Sequence, residues 1–396
     1  MYLGQDRAAN VWGVELEPSR RDELRFPEIA AFAALIFDGV AVPGLSFPVS
    51  TAAAMVFIGI VLFRRADLDL RVPVWFLGLL GGLVVWYVVT SQLNGVDATR
   101  RLGNITILVA LAATIASGRV HVRSAGVGLG LGVLLAVPHA ILTLPASSYG
   151  GRLTGMIGDP NGAGLILAAL GACAVGLLER TSHRVVVGLV LLLGIGLTFS
   201  RTTYLAAAVA IAWVAVGKRV SVPLAVPLLT GIVLAIQRIP DSLIESDFFG
   251  EREGSDALRE RIVEAEEALV ARSPWTGNGA GTAVVEMGDR TFFFHSSYLA
   301  MRADGGWVAL GALIAAVTLT FLAVASVPLD KRNGWLEGAI LAALICALNI
   351  GEALLTASLM VPLGLAMRHA LVNGSSLLRS EDDPTPYDAI VAARAP

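Results

Sequence analysis

Long apolar runs, broken by short connections that carry glycine, proline or paired arginines, occupy most of the chain. Twelve of these runs approach the roughly 20 mostly apolar residues that a membrane-spanning helix needs. They begin near Glu28, Phe47, Pro73, Leu102, Ser124, Pro160, Arg184, Thr202, Val220, Ser297, Gly334 and Leu354. The pattern predicts a cytoplasmic tail (1–27), nine spans (28–238), a long external, periplasmic-side loop (239–296), three further spans (297–372) and a flexible cytoplasmic tail (373–396). Pro43, Gly44 and Pro48 interrupt the first pair of spans. The run from Ser297 to Val324 carries Arg302, Asp304, Gly305 and Gly306 early, so its first turns are expected outside the hydrocarbon. The predicted fold class is all-α, a polytopic integral membrane protein of about twelve transmembrane helices.

Inside the long loop the periodicity changes. Leu258, Ile262, Ala265 and Leu269 recur at helical spacing, and Glu260, Glu264 and Glu267 fall on the other side. Ser255 or Asp256 is placed to cap this amphipathic helix and Pro274 to end it. It is too charged to span and is expected to lie along the outer membrane surface. Gly277–Asn278–Gly279–Ala280–Gly281 follows no strand of a βαβ unit, so it reads as a flexible loop and not as a dinucleotide motif.

Composition narrows the class. Of 396 residues, 55% are hydrophobic and 15% charged, against about 25% charged in an ordinary soluble domain. Mean hydropathy is +0.71. These values exclude a soluble globular enzyme and a disordered chain. A net charge of −3 leaves no basic footprint for nucleic acid. Cys173 and Cys346 both lie in apolar runs, which favours neither a disulfide framework nor a thiolate metal site. No histidine, cysteine and carboxylate cluster has metal-ligand spacing.

Basic residues set the orientation. With the N-terminus in the cytoplasm, inner tails and loops hold Arg25, Arg64, Arg65, Arg71, Arg119, Arg123, Arg180, Arg184, Lys218, Arg219, Lys331 and Arg332 among others. The short outer loops hold only Arg100, Arg101, Arg152 and Arg201. Both termini are placed inside. Residues 1–25 are polar and lack the apolar core of a cleavable signal peptide.

Arginines on the outer side oppose this bias and ask for another reason. Arg152 precedes Gly158–Asp159–Pro160–Asn161–Gly162, where Asp159 is suited to cap the sixth span and Pro160 to open it. A helix N-terminus with free N–H groups suits a phosphate, and Arg152 would add a fork-shaped donor. The alternative is a capped turn beside a solvated arginine. Ser200–Arg201 repeats the pattern: Ser200 is placed to cap the eighth span, and Arg201 meets the positive end of its dipole. An anion would relieve that conflict, as would snorkelling to lipid phosphates. Arg259 and Arg261 flank the start of the amphipathic helix, about 200° apart around its axis. Both could instead pair with neighbouring glutamates.

Of five histidines, His121 and His183 lie in basic inner loops and His369 near the inner end of the last span. His139 lies in the fifth span, where it is expected to bond to a neighbouring helix. His295 follows Phe292–Phe293–Phe294 and precedes Ser296–Ser297–Tyr298, where the long loop re-enters the membrane. It alone shares a face with the unexplained arginines. A neutral imidazole there could take a proton from a hydroxyl, or could simply hydrogen-bond at the interface.

Together these pieces resemble the O-antigen ligase and O-antigen polymerase family of bacterial membrane glycosyltransferases. The matching segments come in the family's order: Arg152–Leu153–Thr154–Gly155 with Pro160–Asn161, then Thr198–Phe199–Ser200–Arg201 at the end of a span. Arg261 follows, with a helix running into Ser273–Pro274–Trp275–Thr276–Gly277–Asn278–Gly279–Ala280–Gly281. Last come His295–Ser296–Ser297–Tyr298–Leu299 and Asp304–Gly305–Gly306. The resemblance covers about residues 100 to 325. Asp304 stands where the family often has glutamate, and Ala265 where an aromatic is common.

The resemblance implies a helical enzyme of the bacterial inner (cytoplasmic) membrane, similar to the C-type glycosyltransferase superfamily. Its donor would be a glycan on a polyprenyl diphosphate such as undecaprenyl diphosphate. The acceptor would be a glycan, lipid or protein hydroxyl on the external face. It implies no metal or other cofactor and a cavity under the long loop. Arg152, Arg201 and Arg261 would hold the diphosphate, His295 would be general base, and Asp159, Asn161 and Ser200 would support them. Two other classes fit the sequence: a twelve-helix secondary transporter or carrier of small anions or lipid-linked sugars, and a non-catalytic subunit of an envelope-polysaccharide complex. A transporter would use ionisable groups near the midplane. The deep candidates Asp38, His139, Glu337 and Glu352 form no obvious pair in the sequence.

Overall fold

The computed structural model describes residues 23–378 apart from 45, 46, 65, 67, 69, 148, 221–223, 225, 226, 228–230 and 232–252. The side chains of 218, 253–257 and 259 are also outside the description. Among the described residues the chain is mostly helical, with twelve α-helices. They are α1 (Phe26–Ala34), α2 (Val49–Leu62), α3 (Val74–Leu93), α4 (Thr99–Ala116), α5 (Val122–Leu142) and α6 (Pro160–Leu177), followed by α7 (Thr181–Leu197) and α8 (Arg201–Val216). The amphipathic helix of the long loop is α9 (Glu253–Arg272), and α10 (Ser297–Ala325), α11 (Gly334–Cys346) and α12 (Ala357–Val372) complete the set. Eleven of the twelve predicted runs start within a few residues of a helix, and most of the ninth, from Val220, lies outside the described residues.

Among the described residues, four helices are long and apolar enough to cross a membrane: α3, α5, α6 and α10. The first expected span is not such a helix. α1 has 9 residues, about 13 Å at 1.5 Å per residue, and Asp38 lies in the turn that follows it. Helix α6 is buried on nearly every side, as an all-round apolar helix should be. Helix α7 instead turns Val185, Val186, Leu189, Leu192 and Leu193 outward. A contiguous outward apolar stripe of this kind suits contact with lipid better than with water.

Contacts among the described connections group them at two ends. At the end holding most of the described basic residues, two buried carboxylates organise the packing. Glu28 on α1 accepts bonds from Arg25 (3.2 Å), from the Arg64 guanidinium and from the His121 backbone N–H (2.7 Å). Glu337 on α11 takes both arms of Arg332, each at 2.6 Å, and Trp213 Nε1 of α8 at 2.5 Å. Arginines that topology alone was expected to explain thus also tie helices together. Glu337, which showed no partner in the sequence, has two.

At the other end the long loop contains a hairpin that the hydropathy pattern did not predict. Strands β1 (Val284–Met287) and β2 (Arg290–Phe293) pair antiparallel, with Val284 opposite Phe293. Gly288–Asp289 forms the two-residue turn, a recognisable hairpin signal. Helix α9 is already helical at Glu253, ahead of the proposed caps Ser255 and Asp256, and ends at Arg272 before Pro274. It packs on β1 and the start of α10 through Ala265, Leu269 and Val270, against Val285, Phe294 and Ala303.

Helix α10 is broken at Gly306 (φ 69°, ψ −168°), and the glycine-rich segment fills the break. Asn278 and Gly279 donate backbone N–H groups to the carbonyls of Ala303 and Asp304 (2.9 and 2.8 Å), and Trp307 N donates to Trp275 O (2.9 Å). The buried Asp304 carboxylate accepts from Gly281 N, Ala283 N and the Thr282 hydroxyl at 2.9, 2.7 and 3.1 Å. Ser91 and Trp86 of α3 add bonds to Ala280 N and Gly305 O (3.0 and 2.7 Å). The segment read as a flexible loop is therefore pinned on both sides, because a broken helix needs partners for its freed backbone groups. A Cβ on Gly306 would fall 2.1 Å from Trp275 O. Gly306→Ala is expected to cost about 1–3 kcal/mol from its positive φ alone, with a further cost from the clash. Faster limited proteolysis within 273–283 checks this; an unchanged digestion rate and melting temperature would contradict it.

Candidate functional site

Arg152, Arg201 and His295 all lie at the loop-bearing end of the bundle. Arg152 sits between α5 and α6 on a strand-like stretch that runs beside the end of α7. Leu153 N bonds to Leu197 O (2.8 Å) and Arg152 Nε to Thr198 O (2.8 Å). The other arm of its guanidinium reaches Asn161 Oδ1 on α6 at 3.1 Å. Arg152 is thus tied to Asn161, one of the residues expected to support the site, and to the carbonyl of Thr198, which the sequence showed only as part of a motif.

The N-terminus of α6 differs from expectation. Asp159 does cap it, accepting from Asn161 N (2.9 Å) and Gly162 N (3.1 Å). The same carboxylate thereby occupies the N–H groups proposed for a phosphate. At α8 the reverse holds. Ser200 stands at the N-cap position, but its hydroxyl makes no capping bond, so the predicted cap is absent. Arg201 is the first residue of α8, as predicted. The chain enters it through Phe199, the sole non-glycine residue at positive φ (46°) among the described residues. A non-glycine residue held there stores strain, which concentrates at functional sites.

His295 begins the turn into α10. Its backbone N–H and its Nδ1 both meet Glu266 Oε1 of α9, at 2.6 and 3.1 Å. The Glu266 side chain is fully buried, whereas the imidazole stays 30% exposed. Glu266 escaped the sequence reading because α9 was divided into an apolar stripe and a glutamate face. It lies one turn after the buried Ile262, and a carboxylate at i+4 from a core residue was the available signal.

One turn brings the arginine and histidine regions together. Residues 347–353, between α11 and α12, bond to α8 through Asn349 Nδ2 and Thr202 Oγ1 (3.1 Å). They also hold the start of α10: Ser297 N donates to Ala347 O (2.9 Å) and Ala353 N to Ser297 Oγ (2.7 Å). Gly351 is pressed against the Phe294 carbonyl, the residue before His295. Thr202 adjoins Arg201, and Ser297 is two residues from His295, so this turn sets their relative placement. Asn349 had no sequence signal.

Acidic groups line the same end. Glu352 pairs with Arg101 at 3.0 Å, so it too has the partner that the sequence did not reveal. Burial pushes the Asp38 carboxyl above its ordinary range; a bond from the Ser50 hydroxyl opposes the rise, and the Glu352 and Asp159 carboxylates add to it. Arg261 is exposed on α9, and no contact among the described residues brings it to Arg152 or Arg201. The Arg259 side chain lies outside the described residues. His139 is not bonded to a neighbouring helix as expected through Nδ1, which is buried without a hydrogen-bond partner among the described residues. A cleft of about 500 Å³ opens between α9 and β1, lined by residues that include Leu269, Arg272, Ser273, Asn278 and Glu286. Its lining includes neither His295 nor the two arginines.

The end as a whole offers the anchored Arg152 guanidinium, Arg201 at a strained helix entry and a carboxylate-backed imidazole. No family model and no curated protein matches the chain.

Proposed function

We propose that the protein is a membrane glycosyltransferase of the O-antigen ligase or polymerase type, in the bacterial cytoplasmic membrane with both termini inside. In this reading Arg152, Arg201 and His295 lie on the external face. The donor is a glycan on a polyprenyl diphosphate, and the acceptor is a hydroxyl on a glycan, lipid or protein. His295 removes the proton from that hydroxyl. The oxygen attacks the anomeric carbon, and the carbon–oxygen bond to the diphosphate breaks. The diphosphate leaves with the bonding electrons, and Arg152 and Arg201 stabilise the charge that develops on it. Arg261 supplies a third contact if α9 moves over the bound donor.

The observation that carries this reading is the turn at 347–353, which is bonded to the segments bearing Arg201 and His295 at once. Anion-binding groups and a base held on one frame suit an acyl- or glycosyl-transfer site better than a lone binding patch. Glu337 and Glu352, candidates for a transporter's coupling groups, are occupied in ion pairs. Arg152→Ala and Arg201→Ala are each expected to slow release of free polyprenyl diphosphate about 10²–10³-fold, the usual cost of removing one such donor. Wild-type release rates in both variants, in lipid bilayers with a polyprenyl-diphosphate oligosaccharide, would overturn the assignment.

A further inference from the structure

Glu266 is a carboxylate where a helix of this kind ordinarily places an aliphatic side chain. It has 0% exposure and sits on α9 among Ala265, Leu269 and Val270. Burying a carboxylate is costly unless a cation or several donors compensate it. Among the described residues, no arginine or lysine pairs with it. Its Oε1 takes the His295 backbone N–H and faces Nδ1, while Oε2 is buried with no hydrogen-bond partner. A structural role would be served as well by an apolar residue of similar volume. Among the described residues, the charge that can answer this carboxylate is one that arises on His295.

We infer that Glu266 is a positioning residue for His295. The inference rests on the proposed role of His295 as base. Oε1 already accepts the His295 backbone N–H, and as a carboxylate oxygen it accepts from Nδ1 too, which places the ring proton on Nδ1. That leaves the Nε2 lone pair as the basic site on a ring that is 30% exposed. When Nε2 takes the acceptor's proton, the ring becomes an imidazolium whose Nδ1–H already points at the buried carboxylate. Glu266 thus selects the tautomer, fixes the ring plane through the second bond to the His295 backbone, and stabilises the charged form. This is the role a carboxylate plays toward histidine in hydrolase triads.

Nitrogen-15 spectra of histidine-labelled protein in lipid nanodiscs test the inference without any substrate. His295→Gln identifies the resonances of His295 among the five histidines. The wild type is expected to carry its neutral-ring proton on Nδ1. In Glu266→Gln the amide can donate as readily as accept, so the ring is expected to shift to the Nε2–H form or to a mixture. A wild-type ring protonated on Nε2, or a tautomer unchanged by Glu266→Gln, would overturn the inference. The wild-type spectrum alone decides this if the variant does not fold. In turnover, Glu266→Gln is expected to lose about 10²–10⁴ in kcat with KM for the donor unchanged. A changed tautomer with wild-type kcat would uphold the contact and overturn His295 as the base, which separates failure of this inference from failure of the functional reading.

Discussion

His295→Ala is expected to lower turnover about 10²–10⁴-fold, the range that a positioned general base contributes. Affinity for the polyprenyl-diphosphate donor should be unchanged, because Arg152, in the stretch before α6, and Arg201, at the start of α8, hold the diphosphate. The side chain is partly open on one side and bonded to Glu266 on the other, so its removal leaves a small gap at the rim of the bundle and not in its core. The loss should therefore appear chiefly in kcat, with only a small fall in the melting temperature. A subtler consequence follows from the buried partner. Without the imidazole, Glu266 keeps only the backbone N–H of residue 295, and α9 should dock less tightly on β1 and α10. Steady-state release of polyprenyl diphosphate, measured together with thermal unfolding, separates the two effects. Full turnover in His295→Ala would remove the base from the mechanism.

The second large effect is on stability, at the opposite end. Glu337→Gln is expected to destabilise the protein by about 3–5 kcal/mol, the cost of leaving a buried charge without its partner. Arg332 is 5% exposed and places both arms of its guanidinium on Glu337. The same carboxylate holds Trp213, so one substitution loosens α8 against α11 as well as the turn before α11. Arg332→Leu should be similarly costly. The double substitution Arg332→Leu with Glu337→Leu should recover much of the loss, since two apolar residues often replace a buried ion pair at little cost. Thermal unfolding of the four proteins in one detergent checks this. A Glu337→Gln variant as stable as the wild type would show that the pair adds nothing.

Much of the helical framework was legible because a spanning helix leaves a long uninterrupted signal. Apolar runs such as Pro160–Leu177 or Ser297–Ala325 survive any local irregularity. Short elements were not legible. The strands at Val284–Met287 and Arg290–Phe293 have four residues each, too few for alternation to stand out from a loop. Helix α1 stops at Ala34 although apolar residues continue past it, because the turn at Asp38–Gly39 docks on the Met156 carbonyl through Gly39 N (2.9 Å), a partner more than a hundred residues away.

The candidate site was legible where a residue type opposed its surroundings. Arg152 and Arg201 stood out because the charge bias disfavours them there, and His295 because it shares their end. Residues whose contacts depend on distant partners, such as Thr198 through its carbonyl and Asn349 through its side-chain amide, carry no such charge conflict. Glu266 carried one that was overlooked, a carboxylate one helical turn from the buried Ile262. Cap positions are legible at α6 and α8 but not at α9, which begins ahead of Ser255 and Asp256; in chemistry, Asp159 closes α6, whereas Ser200 makes no capping bond to α8. Whether a hydroxyl at an N-cap turns toward the helix depends on the backbone that leads into it, and here that backbone passes through Phe199 at positive φ.

The most direct test of the central claim is to supply purified wild-type protein in lipid bilayers with a polyprenyl-diphosphate oligosaccharide, and to measure free polyprenyl diphosphate and glycan size together. Glycan transfer predicts release of the free diphosphate with matching growth of a lipid-linked chain, or with transfer to an added acceptor. Intact donor and unchanged glycan, in the presence of acceptors from the source envelope, would contradict it.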